Sequence, residues 1–281
     1  MAEDRPKREG VMLAYPVEDD QRVVRLGELF IAQPKLNGDR CHVEWFHGEP
    51  VLISSYGNMF EGLDHITRAL KQVKNPMHFD GELYVHGWHK DKIHSAVSRK
   101  TNKSEDAEFV EFYIFDVKAE IPQISRIGIL QEIEFNWPLR RVQSYTADVN
   151  NWRGLAHAFV QKGYEGIILR DLDSPYVEKR STKMLKYKPT YSDHYVILDI
   201  KEAVSKEGEP KEMLGAFLVG SKTVLNDSFW VGAGKLSHDE RIRLWKIGEG
   251  LIGKTLEVKH EKLTTGGGVP LCCVAVRVEG V

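Results

Sequence analysis

The sequence predicts an α+β chain in two parts: a larger N-terminal part mixing strands and helices, and a smaller C-terminal part made almost wholly of strands. Three observations carry this. Up to Pro189, strand-length apolar runs are interspersed with amphipathic helical stretches. Beyond Pro189 the texture changes to short strands separated by glycine-rich turns. The length of 281 residues favours roughly two domains, and contents of 42% hydrophobic and 28% charged residues describe an ordinary globular chain with ample core.

Taken in order, residues 1–10 are polar and charged and read as a mobile tail. Order begins at Met12-Leu13-Ala14 and Tyr15-Pro16, and the acidic Glu18-Asp19-Asp20 reads as a loop. Leu29-Phe30-Ile31-Ala32 is apolar enough for a buried strand, with Pro34 expected to end regular pairing. Residues 41–46, aromatic and β-branched, form a second strand, residues 47–50 a turn, and residues 51–54 a third strand. Over residues 61–74, Leu63, Ile66, Leu70 and Val73 share a helical face, and Asn75-Pro76 stops the helix. Strands follow at 79–85 and 110–117, then helices at 125–135 and 151–162, the second closed by Gly163. Residues 165–170 and 185–188 are strands, the last ended by Pro189. The C-terminal strands lie at 195–200, 215–220, 228–231, 255–259 and 271–278. One helix, 237–247, interrupts them, with Ser237 as its cap and Asp239-Glu240 in its first turn. Five strands and one helix suit a small barrel such as the OB-fold.

Charge and cysteine usage exclude several classes. A net charge of −2 gives no global basic footprint, so a nucleic-acid surface must be local. Cys41, Cys272 and Cys273 are too few for a disulfide framework and lack metal-site spacing, which suits a reducing cytoplasm. The polar start is no secretory signal, and no apolar run approaches transmembrane length, so no membrane partner is expected. Residues 86–103 carry Lys90, Lys92, Arg99, Lys100 and Lys103 against the single acid Asp91. That run reads equally as a solvated face or as a cradle for a phosphate backbone.

The chemistry centres on Lys35-Leu36-Asn37-Gly38-Asp39-Arg40, a tight turn between two strands with Asn37-Gly38 as its hairpin dipeptide. An amine there becomes a nucleophile once it sheds its proton near neutral pH, which burial or a neighbouring cation such as Arg40 promotes. Strand alternation puts Asp80 and Glu82 on one face, and Lys186 and Lys188 on one face. Two lysines side by side repel, and a polyphosphate between them would relieve that. Glu82 and Glu165 offer hard oxygen ligands for Mg²⁺, the usual escort of a nucleoside triphosphate, and Phe115 can stack on a purine. Taken singly, the same residues also read as a solvated turn lysine, surface carboxylates and a core phenylalanine.

In their order, these elements resemble the covalent nucleotidyltransferase superfamily and, within it, the ATP-dependent DNA ligases of minimal viral and bacterial type. Lys35 to Arg40 resembles the family's K-x-D-G-x-R and Ser54 to Gly57 its S-R-x-G. Phe79-Asp80-Gly81-Glu82 is similar to its D-G-E element and Tyr113-Ile114-Phe115-Asp116 to its aromatic one. Glu165-Gly166 resembles E-G and Leu185-Lys186-Tyr187-Lys188 resembles L-K-x-K. Phe229 to Gly234 with Ser237 to Trp245 is similar to a stretch of the family's OB domain, so the resemblance covers nearly the whole chain.

The resemblance implies an ATP-grasp-like adenylation domain of antiparallel sheets with helices over 1–189 and an OB-fold barrel over 190–281. It implies sealing of 3′-OH/5′-phosphate nicks in duplex DNA by a cytoplasmic monomer, using ATP and Mg²⁺, with Mn²⁺ as a substitute. Lys35 would attack the α-phosphorus of ATP, pass AMP to the 5′-phosphate, and release it when the 3′-hydroxyl attacks. Arg40 and Glu82 would meet the ribose or phosphate side of AMP, Phe115 would stack on adenine, and Gln33 would lie beside the adenine edge. Glu82 and Glu165 would hold the metal, Lys186 and Lys188 the α-phosphate, and Arg277 the pyrophosphate leaving group.

Three elements depart from the pattern. Asn37 stands for an Asp, Ser55 replaces the Arg of S-R-x-G, and the C-terminal R-x-D-K reads Arg277-Val278-Glu279-Gly280. With no helical DNA-binding domain ahead of residue 1, a minimal two-domain form is implied, its grip on a duplex resting on the two domains and segment 86–103. The alternatives are an RNA-end ligase, an mRNA-capping guanylyltransferase sharing the lysine chemistry, and a non-catalytic OB-fold module holding single strands.

Overall fold

The computed structural model describes residues 8–99, 102–220, 228–263 and 269–281. Most of the tail expected at 1–10, and Lys100 of the basic segment, lie outside them. The chain divides into two compact units, Met1–Lys188 and Pro189–Val281.

The first unit runs β1 (Leu13–Pro16), α1 (Asp20–Val24), β2 (Phe30–Lys35), β3 (Asp39–Phe46), β4 (Glu49–Ser54), α2 (Asp64–Lys71), β5 (Phe79–Tyr84) and α3 (Lys90–Val97). It continues with β6 (Glu111–Val117), α4 (Gln123–Glu132), β7 (Leu139–Arg141), β8 (Tyr145–Ala147), α5 (Trp152–Gln161), β9 (Gly166–Asp171) and β10 (Arg180–Tyr187). These strands make two five-stranded sheets, β1-β10-β9-β2-β8 and β4-β3-β5-β6-β7. Trp152, Ala156 and Phe159, at helical spacing on α5, pack with Phe30, Ala32, Ile167 and Leu169 of the first sheet. Ile66 and Leu70 of α2, with Leu63 before it, cover Cys41, Val43, Leu52 and Phe112 of the second. Each such fully buried Leu, Ile or Phe contributes about 1.5–3 kcal/mol. A smaller cluster packs Leu36 of the segment after β2 and Ile93 of α3 against Tyr84 and Phe115 of the second sheet, with Val142 beyond β7.

The hairpin expected around Lys35 does not form. β2 belongs to the first sheet and β3 to the second, so Leu36-Asn37-Gly38 crosses from one sheet to the other. Pro34 does not end pairing either, for β2 continues through it to Lys35, with Pro34 opposite Ile167 of β9. On its other edge β8 reaches only Ala32, so the missing proline N–H is tolerated. Gly38 is required by closeness rather than by a turn: a Cβ there would sit 2.1 Å from the Leu83 carbonyl oxygen of β5. The tight hairpin dipeptide is instead His47-Gly48 between β3 and β4, with φ of 51° and 81°.

Other differences have local causes. α1 forms where a loop was expected because Asp19 caps it, its Oδ1 accepting from Arg22 N at 3.0 Å. β10 begins at Arg180, earlier than expected, since its polar first half pairs only with the edge strand β1 and so carries no apolar signal.

The second unit contains β11 (Tyr191–Val204), β12 (Pro210–Gly220), β13 (Ser228–Gly232), α6 (His238–Ile247), β14 (Thr255–His260), a short pair β15 (Lys262–Leu263) with β16 (Pro270–Leu271), and β17 (Val274–Val278). Five strands pair in a ring, β11-β12-β13-β17-β14, with β14 returning to β11. Their inward residues, among them Ile197, Phe217, Val231, Leu256 and Ala275, share a core with Leu244 of α6. Ser237 caps α6 as expected, accepting from Glu240 N at 3.2 Å.

Candidate active site

A cleft of about 670 Å³ opens in the first unit, walled by strands of both sheets, by α3 and by the residues that follow β4. Lys35 ends β2 inside it. The β2–β9 register sets Lys35 opposite Gly166, and Glu165 N donates to the Lys35 carbonyl at 2.9 Å. Gly166 is needed there because a Cβ would meet Tyr187 O at 2.2 Å. Sheet pairing therefore brings Glu165 to the lysine. Lys35 Nζ donates to Glu165 Oε2, and Lys188 Nζ lies 2.7 Å from Glu165 Oε1. Burial alone would push the Glu165 carboxyl up, but Lys35 and Lys188 hold it below the usual carboxylate range.

Lys186, opposite Ile168 in the β9–β10 ladder, also lines the cleft. Burial lowers the pKa of its amine, and Lys35, Arg180 and Arg8 lower it further, with Glu165 acting the other way. The cation that crowds Lys186 is thus Lys35 rather than Lys188, whose charge is met by Glu165. Nor is Arg40 the cation beside Lys35. Its guanidinium clasps Asp80 through Nε to Oδ1 at 2.7 Å and Nη2 to Oδ2 at 2.5 Å, and Nη2 donates to Met12 O at 3.2 Å. Glu82 Oε1 accepts from Gly38 N at 3.0 Å. Burial raises its carboxyl pKa, opposed by the charges of Arg40 and Lys35.

Phe115 is 8% exposed and belongs both to the core and to the cleft wall, with the Arg40 guanidinium carbon 4.5 Å from its ring centre. Gln33 lines the same wall and is held by Phe115 O, Ser144 and Arg170. Of the site residues expected from the sequence, Gln33, Lys35, Arg40, Glu82, Phe115, Glu165 and Lys186 line this cleft, and Lys188 reaches it through Glu165. Asn37 and Ser55 line it too, Ser55 being otherwise buried, with its carbonyl accepting from Glu9 N. Arg277 lies in the second unit, paired with Glu257 across β14 and β17 at 2.7 Å.

Sequence reasoning missed the charged layer beneath these residues. Asp116, quoted only as a motif letter, binds Arg126 Nε and Arg170 Nη1, each at 2.7 Å, with all three side chains buried. Asp80 likewise accepts from Tyr176 Oη at 2.6 Å. The partners lie 10, 54 and 96 residues away, so local pattern could not join them. The one available signal was an acid placed inside an apolar strand, which demands a buried partner. Arg8 and Arg180 were also missed, and both line the cleft near Lys186. Among the described residues, no cluster of three or more His, Cys, Asp or Glu is arranged to hold a metal ion by itself. No helix among them is long and apolar enough to cross a membrane.

Two sheets flanked by helices, with a lysine-bearing polar cleft between them, make this a nucleotidyltransferase-type ligase fold of mixed α+β class. The chain belongs to the ATP dependent DNA ligase domain family, whose model matches residues 11–188. Among curated relatives, the DNA ligase of African swine fever virus strain Badajoz 1971 is 28% identical over 270 residues, covering 88% of this chain and 62% of that protein. The enzyme of the Warthog/Namibia isolate is 27% identical with the same coverage. The chain therefore spans about 62% of the length of these relatives. Among solved structures, one of a Lig E DNA ligase matches with a TM-score of 0.72 at 23% identity, covering 96% of this chain and 98% of that one. The Chlorella virus DNA ligase-adenylate matches with a TM-score of 0.53 at 20% identity, covering 98% of each. At these identities the two structures speak for the fold.

Proposed function

We propose that this chain is an ATP-dependent DNA ligase that seals 3′-OH/5′-phosphate nicks in duplex DNA through lysyl-AMP and DNA-adenylate intermediates. The observation that carries the reading is Lys35 set against Glu165, with Lys186 and Lys188 alongside, in a cleft also lined by Phe115 and Gln33. Lys35 Nζ gives up a proton and attacks the α-phosphorus of ATP, forming an N–P bond as the P–O bond to pyrophosphate breaks. That proton passes to solvent, and Glu165, kept anionic by Lys35 and Lys188 and bonded to Lys35 Nζ, orients the amine for attack. Lys186 and Lys188 draw charge from the α-phosphate, and Glu82 and Arg40 flank the ribose side. A 5′-phosphate oxygen then displaces Lys35 from phosphorus, and the 3′-hydroxyl displaces AMP.

The donor set fits Mg²⁺, with Mn²⁺ as a substitute: Glu165 and Glu82 would hold it together with substrate phosphates, since Mg²⁺ commonly takes one or two carboxylates rather than a full protein cage. Bound there, it would neutralise phosphate charge and orient in-line attack. The first unit is read as the adenylation domain, to about residue 189. The second, with α6 between its third and fourth ring strands, is read as an OB-fold domain contacting DNA, with Arg277 serving the pyrophosphate.

The test is mass spectrometry of protein given ATP and Mg²⁺, with peptide mapping, alongside a nick-sealing assay. An adenylate on Lys35 and a sealed strand are the expected results. Label from GTP alone would assign the chain to capping chemistry instead.

Two further outcomes follow from charge. Sealing is expected to fall steeply with salt, because duplex contact is mostly phosphate charge released against counterions. A titration of activity against NaCl checks this, and a flat profile would contradict it. Nucleotide binding is expected to take up protons in alkaline solution. The Lys186 amine sits below its ordinary 10.5 in the unliganded protein, and a bound phosphate restores it upward. Between those limits, calorimetry in two buffers of different ionisation enthalpy reads the uptake, which Lys186→Met removes.

A further inference from the structure

We infer that Arg170, anchored by Asp116, sets the purine preference of the cleft by locking the Gln33 side chain so that only its carbonyl oxygen is left to meet the base. This rests on the ligase reading of the cleft and adds to it a positioning residue that acts through Gln33.

The lock follows from donor and acceptor capacities. Gln33 is 2% exposed. Both hydrogens of its Nε2 are engaged, one on Phe115 O and one on Ser144 Oγ, each at 3.0 Å. Its Oε1 accepts from Arg170 Nε at 2.9 Å. A guanidinium only donates and a carbonyl only accepts, so turning the amide over would set N–H against N–H and oxygen against oxygen. Once these bonds are made, the amide has one capacity left, the second lone pair of Oε1. An approaching base edge must therefore donate. A 6-amino purine does so, whereas a 6-oxo purine brings an acceptor against an acceptor.

Arg170 is itself fixed. Its Nη1 donates to Asp116 Oδ2 at 2.7 Å and to Gln123 Oε1 at 3.3 Å, while Asp116 Oδ1 accepts from Arg126 Nε at 2.7 Å. Arg126, Gln123 and Asp116 are fully buried. Arg170 stands on β9 and Asp116 on β6, so the pair spans the two sheets, with Arg170 itself part of the cleft lining beside Gln33 and Phe115. Without Arg170, Gln33 Oε1 loses its guanidinium donor and the amide is held only at its nitrogen end, by Phe115 O and Ser144 Oγ, so its fixed polarity towards the base is weakened.

The experiment measures covalent labelling of the full chain by three triphosphates: ATP, purine ribonucleoside triphosphate with no 6-substituent, and inosine triphosphate. The wild type is expected to rank them in that order. Arg170→Met is expected to cut the ATP-to-inosine ratio about tenfold or more, and Arg170→Lys, which keeps a donor, to retain most of it. Should the methionine variant fail to fold, Arg170→Gln takes its place, since it still binds Asp116 but offers Gln33 either polarity, and its ratio should fall likewise. A uniform drop across all three nucleotides, or an unchanged ratio, overturns the inference and leaves a purely structural role. Failure of the wild type to label with any triphosphate overturns the ligase reading itself, so the two failures are told apart.

Discussion

Lys35→Ala is expected to abolish covalent AMP attachment, a loss of about 10⁴-fold or more, while the first unit stays folded. No other amine takes over, because Lys186 stands on β10, separated from β2 by β9, and Lys188 is committed to Glu165. Lys35→Arg should fail equally, since a guanidinium keeps its charge and cannot serve as the nucleophile. Sealing of a nick that already carries a 5′-adenylate needs no bond to Lys35, so the alanine variant should retain that step far better than overall sealing. Equal loss of both would point to a distorted cleft rather than a missing nucleophile.

The same substitution leaves a mark on stability. Glu165 is held below the ordinary carboxylate value of 4.5 by Lys35 and Lys188 against the effect of burial. A depressed folded-state pKa gives stability that is present above pH 4.5 and lost as pH falls through the folded value. Removing Lys35 lets the carboxyl rise, so acid unfolding should begin at higher pH in Lys35→Ala than in the wild type. Lys188 still neutralises Glu165, which limits the cost near neutrality to about 1–2 kcal/mol. Melting temperature followed from pH 7 downward reads both effects, and superimposable curves would show that the ion pair contributes nothing.

The parts of this site that were legible in sequence are those carried by strand periodicity and by fixed short spacings. Lys35, Glu82, Glu165 and Lys186 stand at strand ends or on alternating faces, and the cleft collects them. The six-residue lysine stretch was read correctly as a junction of two strands but wrongly as a hairpin. Its Asn-Gly dipeptide satisfies two different demands, a left-handed turn or a close backbone approach, and local sequence does not distinguish them. The buried layer of Asp80, Asp116, Arg126, Arg170 and Tyr176 stayed hidden for another reason. An acid inside an apolar strand signals only that some buried partner exists, and which side chain meets its charge shows only in pairing across 10 to 96 residues. The short strands β7 and β8 offered too few residues for any period to register.

Gly38→Ala is expected to disable the cleft almost as thoroughly as loss of the lysine, through geometry alone. The added Cβ would lie 2.1 Å from Leu83 O and 3.1 Å from Leu83 C, which are backbone atoms of a buried strand and cannot swing aside. The crossing segment must therefore move away from β5, breaking the bond from Gly38 N to Glu82 Oε1 and shifting Lys35 three residues upstream. A displacement of about 1 Å at a reacting group costs about 10²-fold in rate, and the strain with the broken hydrogen bond costs about 2–4 kcal/mol of stability. Glu82, already pushed up by burial, loses a donor that favours its charged form, so the acid limb of activity should move to higher pH. Gly128→Ala supplies the matched control: it lies within α4 with nothing inside 4 Å of its new methyl group, and should be neutral or stabilising by up to about 1 kcal/mol. Single-turnover AMP labelling and melting temperature, measured on both variants, decide the matter. A Gly38→Ala protein that labels like wild type would mean that the approach of the crossing segment to β5 does not hold Lys35 in place.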